Sequence, residues 1–176
     1  GASQQEIGLE LIRENVAVVL QHPALFNDTV RANLAMGRER SEEACWRALE
    51  IAQLAQTIRA LPQGLDSIVG RSGVRLSGGQ RQRLAIARMV LAEPKVVILD
   101  EATSALDAAT EYALHQALGR FLQGRTTLII AHRLSAVKQA DRVLVFDGGR
   151  IAEEGGHQQL IADGGLYAKL YGSLQH

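Results

Sequence analysis

Residues 76–101, LSGGQRQRLAIARMVLAEPKVVILDE, decide the fold of this chain. Ser77 and Gln80 have the spacing of a capping box, in which each side chain satisfies an unpaired N–H of the first helical turn. The helix that they begin is predicted to stop at Pro94, which cannot continue it. The apolar run from Lys95 to Leu99 then predicts a buried strand. A capped helix followed directly by a buried strand is typical of an α/β protein.

The same alternation extends through the rest of the chain. Strands alternating with helices predict a mostly parallel sheet covered by helices, and the turn Asp147 to Arg150 predicts a tight hairpin. The other predicted elements are buried strands at Val16 to Leu20, Thr126 to Ala131 and Arg142 to Phe146, and helices at Thr29 to Ala35, from Ser41, at Ala108 to Gln123, around Gln158 to Ala162 and at Leu166 to Leu174.

Composition limits the classes of function. The 176 residues are the size of one domain, and 19 Lys and Arg balance 19 Asp and Glu, so no global charge attracts nucleic acid or an anionic membrane surface. Cys45 is the single cysteine, which excludes an internal disulfide and predicts a small buried hydrophobic residue. The longest apolar candidate, Leu84 to Leu99, is interrupted by charges, and no charged-then-apolar leader is present; we therefore expect a soluble chain.

Polar groups follow several of the predicted strands. Asp100 and Glu101 end one strand, at the sheet edge where α/β proteins bind ligands. Asp100 would face a hydrated Mg²⁺ and Glu101 would polarise an attacking water, although a strand ending in two solvated acids explains the pair equally well. Gln21 and His132 follow two other strands; Gln21 could touch both Mg²⁺ and water, and His132 could contact a phosphoryl group or be structural. Four polar groups converging on one edge favour a site.

The start of the helix at Ser77 is a second candidate site. Ser77, Gly78 and Gly79 combine a hydroxyl, unpaired N–H groups and the helix dipole, and glycine lets a phosphate approach the backbone. The alternative is a helix that is merely well capped. A phosphate-binding loop G-x-x-x-x-G-K-[ST] is not found in this sequence, because none of its lysines, Lys95, Lys138 and Lys169, follows a glycine.

Together these residues resemble the nucleotide-binding domain of ABC transporters over almost the whole chain. Leu76 to Gln80 is identical to the LSGGQ signature, and Ile98 to Glu101 is similar to Walker B. Ala102 to Asp107 matches the D-loop, Ala131 to Arg133 the switch-histidine loop, and Gln21 the Q-loop.

The resemblance implies a role for each matching residue. Glu101 would be the catalytic base and His132 would act at the γ-phosphate of ATP. Asp100 and Gln21 would surround Mg²⁺, and Asp107 would lie at a dimer interface. The signature residues Ser77, Gly78, Gly79 and Gln80 would complete the ATP site of an opposite subunit, with two ATP molecules held between head-to-tail domains.

The resemblance also implies a fold and a subclass. Gln21 to Val30 and Asp147 to Ile151 are similar to exporters, in which membrane and ATPase domains are usually fused. The expected fold is a P-loop NTPase-like (RecA-like) α/β domain, with a helical signature subdomain at about 27–92 and the rest of the α/β core at 16–21 and 93–176. The family's aromatic loop, antiparallel β-subdomain and Walker A strand precede the Q-loop and have no counterpart here, so we expect a partial domain, 1–176, truncated at its N-terminus.

The expected function is ATP binding and hydrolysis for transport in a parent exporter, on the cytoplasmic side of a membrane. Its partners would be a second nucleotide-binding domain and a transmembrane domain, without nucleic acid, and the chain alone would be inactive. One departure is Arg71, which stands where exporters commonly have an acidic residue. The alternatives are a non-catalytic regulatory module, and an ATPase of DNA repair or chromosome maintenance. The short interval between Gln21 and the signature, without heptads or cysteine pairs, disfavours the DNA-repair class.

Overall fold

The computed structural model describes residues 8–103, 105–130, 137 and 140–173. The chain divides into two compact units, Gly1–Ile130 and Ala131–His176. The predicted division into a helical part at 27–92 and an α/β remainder stays a prediction.

The first unit contains a sheet and the helices that cover it. Its strands and helices, in chain order, are α1 (Leu9–Asn15), β1 (Val16–Val19), β2 (Asp28–Thr29), α2 (Val30–Ala35), α3 (Glu42–Ile51), α4 (Ala55–Arg59), a 3₁₀ turn (Gly64–Asp66), β3 (Ile68–Val69), α5 (Gly78–Ala92), β4 (Val96–Asp100), α6 (Ala108–Leu122) and β5 (Thr126–Ile130). The bounds of the predicted elements of this unit are confirmed within one or two residues. The predicted burial of the strand at Val16 to Leu20 is wrong, because Val18 is 52% exposed and Leu20 is 54% exposed, and Val19 is the buried residue of β1. The short elements α1, α4, β2 and β3 are not predicted by the sequence pattern.

The three longer strands of this unit form a parallel sheet in the order β1-β4-β5. Val16 lies opposite Val96, and Val96 lies opposite Thr126, so the carboxyl ends of all three strands meet at one edge. The mostly parallel α/β fold is confirmed. This register fixes which loops meet at the candidate site.

The prediction that Thr126 to Ala131 forms a buried strand is wrong for the described part, Thr126–Ile130. Leu128 is 50% exposed and Ile130 is 47% exposed, and Val18 on the same sheet face is 52% exposed. Among the described residues β5 has β4 as its one strand neighbour, so it lies at an edge of the sheet. An apolar strand is buried only when other elements cover it, and its own composition does not supply them.

A single apolar core joins the sheet to the helices of the first unit. Helix α5 packs against β1, α2 and α3. The largest fully buried side chains of this core include Leu49, Leu54, Ile58, Leu84, Ile86 and Leu114. Cys45 is fully buried among them as a free thiol, which confirms its prediction as a small hydrophobic residue.

The second unit contains a β-hairpin and two helices. Its elements are β6 (Val143–Asp147), β7 (Arg150–Gly155), α7 (His157–Ala162) and α8 (Leu166–Ser173). Gly148 and Gly149 both have positive φ, 54° and 76°, as a two-residue hairpin turn requires, so the predicted hairpin is confirmed. The Glu153 carboxylate accepts hydrogen bonds from the backbone N–H groups of Leu166 and Tyr167, and so caps α8.

The prediction that Arg142 to Phe146 is a buried strand is also wrong. The strand β6 pairs antiparallel with β7, and Val145 is its one buried residue, packed with Leu160 and Tyr167. Phe146 points to solvent because the hairpin is covered on one face only. Within the described ranges, no helix has the length and apolarity needed to cross a membrane.

Candidate functional site

The signature segment forms the first turn of α5. Ser77 is the N-cap residue, and its Oγ accepts a hydrogen bond from the Gln80 backbone N–H at 3.2 Å. In return, Gln80 Oε1 accepts from the Ser77 backbone N–H at 2.8 Å. The predicted capping box is therefore confirmed. It fixes the direction of the first turn, where backbone N–H groups and the helix dipole favour an anion.

Gly79 has a packing role that the sequence does not reveal. A Cβ built on Gly79 would lie 2.8 Å from the carbonyl oxygen of Ala105 and 3.0 Å from Leu106 Cδ2. Gly78 has more room, since its Cβ would be 3.7 Å from the Ala105 side chain. The first turn of α5 thus lies directly against the loop between β4 and α6.

Gln21 and Glu101 meet at the carboxyl edge of the parallel sheet. Gln21 Nε2 donates a hydrogen bond to Glu101 Oε2 at 2.7 Å. Glu101 adopts the left-handed conformation with φ of 44°, and its backbone N–H donates to the carbonyl of Ile130 at 3.1 Å. A side chain other than glycine is strained there, and such positions cluster at functional sites. Asp100 is the last residue of β4, directly before this pair.

Gln82 is a site residue that the sequence analysis did not identify. It lies in the second turn of α5 with 2% of its surface exposed. Its Nε2 donates to the carbonyl of Gln21 at 3.0 Å and to that of Glu101 at 3.5 Å, and its Oε1 accepts from the Ala105 N–H at 3.1 Å. The available signal was a polar residue among the apolar positions of an otherwise buried helix.

Asp107 caps α6 rather than standing alone in solvent. Its Oδ1 accepts a hydrogen bond from the Thr110 backbone N–H at 2.9 Å. The hydrogen bonds from the Thr110 backbone and side chain hold the pKa of the Asp107 carboxyl below its ordinary value. The carboxylate is therefore ionised at neutral pH and positioned at the end of the loop that contacts Gly79.

A half-buried arginine, Arg88, ties α5 to the loop that follows Gln21. Arg88 Nε donates to the Asn33 carbonyl at 2.6 Å and its Nη1 donates to the Ala24 carbonyl at 2.8 Å, while its Nη2 donates to Asn33 Oδ1. Burial lowers the pKa of the Arg88 guanidinium, which nonetheless stays protonated at neutral pH. The Arg88 guanidinium also lies over the Phe26 ring, with its central carbon 5.8 Å from the ring centroid.

Of the predicted site residues, the structure brings together Gln21 and Glu101, with Asp100 adjacent in sequence. It places Ser77 to Gln80 against the loop that leads to Asp107. His132 lies outside the described residues, as do its neighbours at 131 and 133.

The residues present fit a magnesium ion bound together with a nucleotide. Within the described part of the chain, no group of three or more His, Cys, Asp or Glu side chains forms a metal cage. Mg²⁺ does not require one, because it keeps several waters and is bound by one or two carboxylates together with substrate phosphates. Asp100 and Gln21 supply oxygen donors of that kind at the sheet edge.

A parallel sheet that ends in acidic residues beside a capped, glycine-rich helix start is the arrangement expected of an ATP-binding domain of the ABC type. Residues 1–104 match the sequence profile of the ABC transporter family, which is more than half of the chain. The chain belongs to that family.

Two relatives of this chain are named as a flippase and as an ABC transporter ATP-binding protein. An ATP-dependent lipid A-core flippase of Burkholderia orbicola (strain AU 1054) is 50% identical over 171 residues, covering 97% of this chain and 29% of the flippase. An uncharacterized ABC transporter ATP-binding protein, YwjA of Bacillus subtilis (strain 168), is 49% identical over 172 residues, covering 97% of this chain and 30% of that protein.

A solved structure agrees with this assignment. A bacterial Atm1-family ABC exporter with ATP bound superposes with a TM-score of 0.91 at 40% identity, covering 97% of this chain and 30% of that exporter. The chain thus spans less than a third of the length of these relatives.

Proposed function

We propose that this chain is part of the ATP-binding and ATP-hydrolysing domain of an ATP-driven membrane exporter. The observation that carries the proposal is the 2.7 Å hydrogen bond between Gln21 Nε2 and Glu101 Oε2 at the carboxyl edge of the sheet. It places a carboxylate that can accept a proton beside an amide that can orient it, an arrangement suited to activating a water next to a metal-bound phosphate. The names of the similar flippase and exporter support transport as the use of this chemistry.

Each site residue has a role in this proposal. Glu101 accepts the proton of the attacking water, and the Gln21 amide orients its carboxylate. Asp100 and Gln21 would hold Mg²⁺, and His132 would act at the γ-phosphate. Bound Mg-ATP supplies the phosphoryl group and the metal charge that stabilises the phosphate oxygens during transfer.

The first turn of α5 belongs to an ATP site that two nucleotide-binding domains form together. Ser77, Gly78, Gly79 and Gln80 present the first turn of α5 to the γ-phosphate of ATP held by a second nucleotide-binding domain. Asp107, at the end of the adjoining loop, lies at that head-to-tail interface. A transmembrane domain is the other partner, so the proposed location is the cytoplasmic side of a membrane, and nucleic acid is not a partner.

Alone, the 176-residue chain is expected to bind Mg-ATP weakly and to hydrolyse almost none. Its sequence has no G-x-x-x-x-G-K-[ST] loop to hold the β- and γ-phosphates. Isothermal titration calorimetry of the chain with Mg-ATP measures this directly. Tight binding of Mg-ATP would contradict the expectation that affinity depends on the phosphate contacts of a G-x-x-x-x-G-K-[ST] loop.

The proposed function is tested in an exchange transporter, defined as the Burkholderia orbicola flippase with its matching 171 residues replaced by this chain. Steady-state ATPase activity of the unsubstituted protein should be retained. Glu101→Gln should bind ATP and lose turnover by about a hundredfold or more, since it removes the proton acceptor.

The matched control is Glu93→Gln, the same chemical change at an exposed position. Glu93 caps the carboxyl end of α5, and β4 runs from Val96 beside it to Asp100 at the opposite end of the strand. Turnover of the control should equal that of the unsubstituted exchange transporter. Normal turnover of Glu101→Gln would remove Glu101 from the role of base.

A further inference from the structure

A buried amide on the signature helix connects the loops that carry the proposed chemistry. Gln82 is 2% exposed, and its Nε2 lies 3.0 Å from the carbonyl oxygen of Gln21 and 3.5 Å from that of Glu101. Its Oε1 lies 3.1 Å from the backbone nitrogen of Ala105. These backbone groups belong to two segments, the one that follows β1 at Gln21 and the loop between β4 and α6 at Glu101 and Ala105, and the Gln82 side chain contacts both.

The surroundings of Gln82 match a primary amide of this length. Two carbonyl oxygens require a donor, and one N–H requires an acceptor on the same side chain. A glutamate lacks the donor, and a methionine of the same length lacks both functions. An asparagine keeps both, but is one methylene shorter.

The contacts of Gln82 close a ring around the reacting carboxylate. Gln82 holds the main chains of Gln21 and Glu101, while their side chains bond each other at 2.7 Å. On its other side, the Glu101 main chain is held by its N–H bond to Ile130. The backbone of Glu101 is thus fixed from α5 and from β5, in a left-handed conformation that needs such support.

We propose that Gln82 is a positioning residue, whose amide sets the separation of Gln21 from Glu101 and thereby orients the carboxylate that activates water. Gln82 does not touch substrate; it acts through Glu101. It lies five residues after Ser77 on one continuous helix, so the same rigid element carries the signature turn and this amide. The inference rests on the proposed function, in which Glu101 is the base.

The test compares three variants in the exchange transporter, with ATPase rates measured over a range of ATP concentrations. Gln82→Met keeps the length and volume and removes the hydrogen bonds, and Gln82→Asn keeps the amide. Ile86→Val is the matched control, because Ile86 is fully buried one turn further along α5 and has no polar atoms.

Gln82→Met should lower kcat by about ten- to a hundredfold, the size of effect expected from a small misplacement of a catalytic group. Its KM for ATP should change by less than about threefold, because the residue does not contact the nucleotide. Gln82→Asn should retain a kcat between those of Gln82→Met and the unsubstituted protein. Ile86→Val should lower the melting temperature and leave kcat unchanged.

Three results separate the possible failures. Equal kcat values for Gln82→Met and Ile86→Val would overturn the positioning role while leaving the proposed function standing. A higher kcat for Gln82→Met than for Gln82→Asn would also overturn it, because a side chain without hydrogen-bonding groups would then serve better than a shortened amide. An inactive unsubstituted exchange transporter would refute the proposed function, and this inference with it.

Discussion

Removal of the Asn33 side chain tests the buried polar network beside the site. Asn33 has no exposed surface, and its Oδ1 accepts hydrogen bonds from the Phe26 N–H at 2.9 Å and from the Arg88 guanidinium. Its Nδ2 donates to the carbonyls of Phe26 at 3.0 Å, Thr29 at 3.0 Å and Asp28 at 3.3 Å. One side chain therefore fixes the backbone of the loop between Gln21 and α2.

The expected cost of Asn33→Ala follows from the groups that it leaves unpaired. The Phe26 N–H and one arm of Arg88 lose their acceptor, and each such buried group costs about 1–3 kcal/mol. The Arg88 bonds to the carbonyls of Asn33 and Ala24 survive, so we expect a total near 3–4 kcal/mol. For a chain of this size that lowers the melting temperature by roughly 10 °C.

The measurement is thermal unfolding of the 176-residue chain followed by circular dichroism. One protein concentration is used throughout, because association shifts apparent stability. Asn27→Ala is the matched control: Asn27 is exposed, and its Oδ1 accepts one hydrogen bond, from the Ser72 N–H at 2.8 Å. The reasoning is refuted if Asn33→Ala destabilises the chain no more than Asn27→Ala does.

Three further predictions concern stability and association. Gly79→Ala should destabilise the chain in urea titration, because its Cβ would lie 2.8 Å from a backbone oxygen, whereas Gly119→Ala, with open space around it, should stabilise it by about 0.5–1 kcal/mol. The pKa of Asp107 in the folded chain lies below the ordinary value of 3.8. The stabilisation from its capping hydrogen bond is therefore present above pH 3.8 and is lost as the pH falls through the folded pKa. The difference in melting temperature between Asp107→Ala and the original chain should shrink below pH 3.8. The exposed strand edges should make the chain self-associate or rearrange, and Leu128→Lys should reduce association in light scattering; a monodisperse monomer with protected strand amides would contradict this.

Elements that depend on residues adjacent in sequence can be predicted from the sequence. The capping box from Ser77 to Gln80 spans four residues, and the hairpin turn at Gly148 and Gly149 spans two, so their signals are complete within the local sequence. The strand that ends in Asp100 is equally apparent, because an apolar run between a proline and two acids has few other uses. Local chemistry determines these elements, and the structure confirms them.

The burial of a strand and the contacts between distant residues cannot be predicted from the local sequence. The composition of β5 predicts a buried strand, yet its exposure depends on what covers the sheet. Gln82 bonds the Gln21 carbonyl 61 residues away and Arg88 bonds the Asn33 carbonyl 55 residues away, and nothing in the local pattern around either residue specifies these partners. The same holds for Gly79. Its sequence motif predicts that phosphate comes close to the backbone, whereas its close packing against the Ala105 carbonyl is apparent only in the structure.

Helix α5 connects the proposed chemistry to the rest of the first unit. At its start, Ser77 and Gln80 fix the signature turn, and five residues after Ser77, Gln82 holds the loops of Gln21 and Glu101. Further along, Arg88 holds the loop that follows Gln21. Because an α-helix is stiff over this length, a displacement of its first turn must be shared by the contacts of both later residues. Under the proposed function, nucleotide contact at the signature turn would therefore be transmitted to the Glu101 carboxylate through Gln82, and to the loop beyond Gln21 through Arg88.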